Sequence, residues 1–128
     1  MKSSQRPKNL AEVAEGILNG EEAGFLVRDF LHEFQFQGNI SMVITPPPRL
    51  SGCVENGERY DAFLQALAVT LASRLGEAPP HWTSPCIQLK TPWFATPGLA
   101  MRNYLLISSP APFRMRNLFI DEDSLKVA

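Results

Sequence analysis

Between Leu10 and Leu18, apolar side chains recur at Leu10, Val13, Ala14, Ile17 and Leu18, the spacing of one face of an α-helix. Asn9 stands at the N-cap with Glu12 three residues on, and Asn19-Gly20 supplies a stop. A second amphipathic helix opens at Glu21-Glu22, whose carboxylates suit the positive end of a helix, and carries Phe25, Leu26, Phe30, Leu31 and Phe34 on a broad face. The Asn-Gly break predicts an αα-hairpin. The longest helix is expected from about Gly57 to Leu75, with Tyr60, Phe63, Leu64, Leu67, Ala68, Leu71, Ala72 and Leu75 as its apolar stripe and Gly76 as its end.

Between and beyond these helices the period breaks down. From Gln35 to Asn56 no helical repeat persists, and Ile40–Ile44 runs into Thr45-Pro46-Pro47-Pro48, which prolines hold in an extended path. Ile40, Met42, Val43, Ile44 and Leu50 would stay wet in a free linker, so the segment is expected to wrap a core. Residues 78–83 form a rigid turn and Ser84 to Pro97 irregular chain; helix resumes at Pro97 or Gly98 with Leu99, Met101, Tyr104, Leu105 and Ile107, and ends at Ser109-Pro110. A short helical turn from Phe113 to Arg116 leads to Leu118-Phe119-Ile120, and Asp121–Ser124 caps a last turn through Leu125. The expectation is a mainly α, compact helical domain over 1–128, with long proline-rich loops, at most a minor β element, and residues 1–8 as a disordered tail.

Composition narrows the possible functions. A chain of 128 residues with 45% hydrophobic content can bury one sizeable core without a metal or disulfide. A formal net charge of −1 lacks the basic excess expected of a general DNA or anionic-membrane binder. No apolar run reaches the roughly 20 residues of a spanning helix, and Met1–Lys8 has no apolar core of a secretion signal behind it, so a cytoplasmic location is expected. Cys53 and Cys86 lie far apart without neighbouring ligands and read as free thiols.

No nucleophile elbow, paired-histidine metal motif, phosphate-binding glycine loop or dinucleotide fingerprint is present. His32 and His81 carry no motif that selects them. Asp29 and Glu33 share a helix face beside Arg28 and read as a solvated surface; Asp121-Glu122-Asp123 reads as a cap. No cofactor or catalytic residue is therefore expected. The hairpin is a poor helix-turn-helix, because its second helix is more acidic than basic. Arg102, Arg114, Arg116 and Asn117 nevertheless suit a small phosphate-contacting patch, which keeps a nucleic-acid reading open.

The last third concentrates aromatic, proline and arginine residues, a mixture enriched where protein surfaces meet. Trp82, Trp93, Phe94, Phe113, Arg114, Arg116 and Asn117 are the candidate partner-binding residues. Each aromatic among them also suits a core position against the long helix, and Trp93-Phe94 is the pair expected to anchor a partner. Replacing Arg114 and Arg116 by alanine is expected to weaken binding and leave thermal unfolding nearly unchanged.

The order Glu77-Ala78-Pro79-Pro80-His81-Trp82, Thr91-Pro92-Trp93-Phe94 and Ser108-Ser109-Pro110-Ala111-Pro112-Phe113-Arg114-Met115-Arg116-Asn117-Leu118-Phe119-Ile120 resembles a group of small, mostly uncharacterised bacterial proteins. That group is marked by a Pro-x-Trp turn, a Pro-Trp-Phe segment and a terminal Ser-Pro-x-x-Phe-Arg-x-Arg-Asn-x-Phe-Val. The resemblance spans about residues 23–128, including Val27–Phe34. It implies the non-toxic partner of a toxin–antitoxin pair, acting without chemistry of its own on a cognate protein such as a nucleotidyltransferase-like toxin. The alternative is a transcriptional regulator or other nucleic-acid-binding protein.

Overall fold

The computed structural model describes residues 6–96 and 98–125. The protein is mainly α: α1 (Leu10–Leu18), α2 (Ala23–Gln37), a one-turn α3 (Ser41–Ile44), the long α4 (Gly57–Arg74), α5 (Leu99–Ser108) and a one-turn α6 (Ala111–Arg114). Two short strands, β1 (Trp93–Phe94) and β2 (Leu118–Phe119), pair in parallel, Trp93 opposite Leu118 and Phe94 opposite Phe119. Turns of 3₁₀ helix follow at His81–Thr83 and Glu122–Leu125.

Local signals place the first hairpin. The Asn9 side chain accepts the Glu12 amide at 2.8 Å, while the Glu12 carboxylate reaches one residue further back than a standard capping box, to the Lys8 amide at 2.8 Å. Gly20, at φ 89°, turns the chain, and the Glu22 carboxylate accepts the Phe25 amide to start α2. Leu10, Val13, Ala14, Leu26, Phe30 and Leu31 are buried between the helices and the rest of the core. The helices approach closely at Gly16, where an added Cβ would lie 2.8 Å from a Leu26 methyl.

Two sequence expectations change. The tail assigned to residues 1–8 is placed from Arg6 onward: Pro7 is buried, the Lys8 amide donates to the Glu12 carboxylate, and Arg6 lies 4.0 Å from Glu33. Residues 1–5 lie outside the described residues. Helix α2 also extends to Gln37, three residues into the segment expected to lack helix, until Gly38 leaves the helix at φ 53°. Asn39 then accepts the Ser41 amide at 3.0 Å and starts the single turn of α3.

The proline-rich segment wraps the core. Leu50 is fully buried, and the two Asp61 carboxylate oxygens accept the Leu50 and Ser51 amides, each at 2.9 Å, fixing the segment's return onto α4. Gly57 permits this approach, since a Cβ there would overlap the Leu50 carbonyl. Helix α4 then buries Ala62, Leu64, Gln65, Ala66, Leu67, Ala68, Leu71 and Ala72 as the central helix. No helix among the described residues is long and apolar enough to cross a membrane.

Candidate interaction site

Pro92 and the residues before it have almost no ladder of their own, so their backbone groups need side-chain partners. Much of that demand is met by residues that the sequence singled out as partner-binding. The Gln65 amide, buried on α4, donates to the Pro85 carbonyl at 3.1 Å and accepts the Ile87 amide at 3.0 Å. Arg116 donates through Nε to Gln65 Oε1 at 3.1 Å, through Nη1 to the Pro112 carbonyl at 2.8 Å and through Nη2 to the Thr83 carbonyl at 3.3 Å. Its side chain is interior, with the residue 4% exposed. Burial lowers the guanidinium pKa, and the neighbouring Cys86 thiol opposes that shift.

Asn117 completes this set. It takes the left-handed conformation at φ 65°, which asparagine tolerates better than most residues, and donates through Nδ2 to the Leu89 carbonyl at 2.7 Å. Its own carbonyl accepts the Trp93 amide at 2.9 Å, and the Phe119 carbonyl accepts the Ala95 amide at 3.0 Å, bringing β1 alongside β2. Ser109 is likewise buried, its hydroxyl accepting the Ile120 amide at 2.9 Å.

The predicted aromatic anchors divide in the same way. Phe113 is fully buried and meets Phe63 edge-on at 5.2 Å, which removes it from any surface role in the isolated chain. Trp82 is half-buried and donates through its indole nitrogen to the Val43 carbonyl at 2.8 Å, tying α3 to the turn after α4. Trp93 is half-buried, packs against the core and lies under the Arg59 guanidinium at 4.8 Å. Phe94 stacks on Phe119 at 4.8 Å, and Arg102 covers it at 4.7 Å. Neither Trp93 nor Phe94 projects as a free anchor. Arg114 is exposed, 3.5 Å from the Ile107 carbonyl through Nη1.

Arg114 therefore remains at the surface while Arg116 holds the interior, a correction to the expected arginine pair. The physical reason is the supply of buried carbonyls around Arg116, which its planar fork of donors satisfies.

The surface feature that the sequence reading did not single out is α5. Of its ten residues only Leu105 is buried, whereas Leu99 is 74% and Ile107 80% exposed, and Tyr104 and Leu106 are exposed as well. Leu99, Asn103, Leu106 and Ile107 follow i, i+4, i+7, i+8 spacing, so they form one outward stripe. Met115, beyond α6, is also exposed, and the Arg114–Ile107 contact places the end of α6 beside the end of α5. Residues 91–120 contain no aspartate or glutamate, while Arg102 and Arg114 stand exposed among them. The available sequence signal was α5 composition: Leu, Met, Tyr, Leu, Leu and Ile leave too little polar face for a helix packed on one side only.

The other candidate chemistry is dispersed. His81 and both cysteines are exposed. Glu33 accepts from Gln37 at 3.1 Å, and Asp121 accepts the Asp123 amide at 3.0 Å as a local cap. Among the described residues no group of three or more His, Cys, Asp and Glu side chains is placed to hold a metal ion. Comparison with protein-family models, with curated proteins and with solved structures finds no match.

Proposed function

We propose that this chain is a non-enzymatic protein-interaction module that docks through α5 onto an apolar groove rimmed by acidic groups. The observation that carries the reading is the outward stripe of Leu99, Leu106 and Ile107 on a helix that buries only Leu105. Helix-in-groove recognition uses anchors at such spacing. The absence of carboxylates from 91–120, with Arg102 and Arg114 exposed, favours an acidic rim on the partner.

The finer reading follows the resemblance of the terminal motif: an antitoxin-like protein of the cytoplasm that neutralises a cognate toxin, of nucleotidyltransferase type, by covering or distorting its site. In this reading Arg114 pairs with an acidic or phosphate-binding group of the toxin. Arg116, Phe113 and Asn117 support the surface from inside.

The test compares wild-type protein with Ile107→Glu in capture from the native host at high and low salt, followed by an activity assay of the captured enzyme. Burying an isoleucine contributes about 1.5–3 kcal/mol, so the variant should bind roughly 10- to 100-fold more weakly with an unchanged melting temperature. One stoichiometric enzyme, inhibited by wild type and released by the variant, is the expected result. Recovery of DNA alone, lost as salt rises, would replace this reading with the regulator; equal capture by both proteins would remove α5 from it.

A further inference from the structure

Away from α5, a cleft of about 460 Å³ opens between the α1–α2 corner, the first turns of α4, β1 and the C-terminal 3₁₀ turn. Its size falls within the range of small-molecule sites. Ile17, Val27, Tyr60, Phe63, Trp93 and Leu125 give it an apolar lining. Arg59 stands at the wall, half-buried, with its guanidinium 4.8 Å from the Trp93 ring and 5.4 Å from the Tyr60 ring.

The guanidinium thus lies over both rings, within cation–π range of each. Its N–H donors have no hydrogen bond or ion pair with an acceptor among the described residues. Arg116 shows the contrast, with its donors directed at protein carbonyls. The two carboxylates at the α2 side of the cleft are engaged already: Glu22 accepts the Phe25 amide, and Glu21 has an interaction of its own. A guanidinium donor fork beside an apolar cavity is complementary to a carboxylate on an apolar body.

We propose that this cleft binds an aliphatic or aryl-alkyl carboxylate, with the carboxylate on Arg59 and the apolar portion between Val27, Phe63 and Leu125. The site is separate from the docking helix and stands whether or not α5 has a partner. Glu21 and Glu22 disfavour a ligand with a second anionic group, so monocarboxylates are the expected class.

Titration calorimetry of the full chain with decanoate, decanol and decyltrimethylammonium tests the assignment. Decanoate should bind at least tenfold more tightly than decanol. Arg59→Gln should abolish that difference while leaving decanol binding unchanged. Because Arg59 is packed against two rings, Ala95→Trp provides a second variant; Ala95 is an exposed cleft residue, and a bulky side chain there should block both ligands without touching Arg59. Equal affinity for decanoate and decanol, preference for the ammonium, or no uptake of any of the three at about 0.1 mM would each overturn the proposal.

Discussion

Replacing Arg116 with methionine should lower stability by about 3 kcal/mol, even though the side chain it removes belongs to a sequence motif that suggests recognition. Methionine preserves the length and the apolar stem but provides no donor. The Thr83 and Pro112 carbonyls each lose a donor bonded at 3.3 and 2.8 Å, and a buried acceptor left unsatisfied costs about 1–3 kcal/mol. Gln65 Oε1 retains the Ile87 amide, so its loss contributes less. These terms give about 2–6 kcal/mol, from which the relieved desolvation of the charge must be taken. That relief is real, because burial is the leading cause of the lowered guanidinium pKa. Urea unfolding followed by far-UV circular dichroism measures the difference, and the melting temperature should fall by about 10 °C. Arg114→Ala, at an exposed position, should stay within about 0.5 kcal/mol of wild type. Joint replacement of both arginines is therefore not a clean test of binding. An Arg116→Met protein as stable as Arg114→Ala would refute the assignment of Arg116 to the fold.

Gly57→Ala should be more damaging than an ordinary helix substitution, since the new methyl overlaps the Leu50 backbone carbonyl; a loss of about 3 kcal/mol or more is expected by differential scanning fluorimetry, and a neutral result would show that the wrap can move aside. Asp61→Asn keeps one acceptor but turns an NH₂ toward one of the two amides now held at 2.9 Å, at a cost of about 2 kcal/mol. Hydrogen exchange at Leu50 and Ser51 should accelerate in that variant, and unchanged protection there would contradict the clamp.

The helices were legible because their signals are local. Asn9 and Glu12 mark the start of α1, and the α4 stripe repeats over 18 residues. The mainly α fold follows from that patterning, and the β1–β2 pair stays within the expected limit of at most a minor β element. The path of the loops was less legible: Asp61 reads as a polar position on a helix until it meets the Leu50 and Ser51 amides, eleven and ten residues earlier in the chain. Gln65 gives even less away, as its partners lie 17 to 51 residues later. Helix periodicity assigns a face to such residues and says nothing of which carbonyl they meet.

The terminal motif shows the same ambiguity from the other side. Aromatic and arginine side chains are enriched at interfaces because they combine apolar area with directional donors, and those properties also suit them to hold a loop that has no ladder. From Thr83 to Pro92 the backbone still carries carbonyls and amides in need of partners. Arg116, Asn117 and Gln65 meet that need at Thr83, Pro85, Ile87 and Leu89. Proline enrichment nearby is thus evidence for an internal use of Arg and Asn, since each proline removes a donor that a strand would have offered. Among the apolar side chains left exposed, Leu99, Leu106 and Ile107 stand on one helix, α5, that buries only Leu105, and they have no polar atoms to satisfy. A partner that covers them contributes apolar burial without disturbing the carbonyl network beneath, which is why the docking reading rests on α5 rather than on the motif that first suggested it.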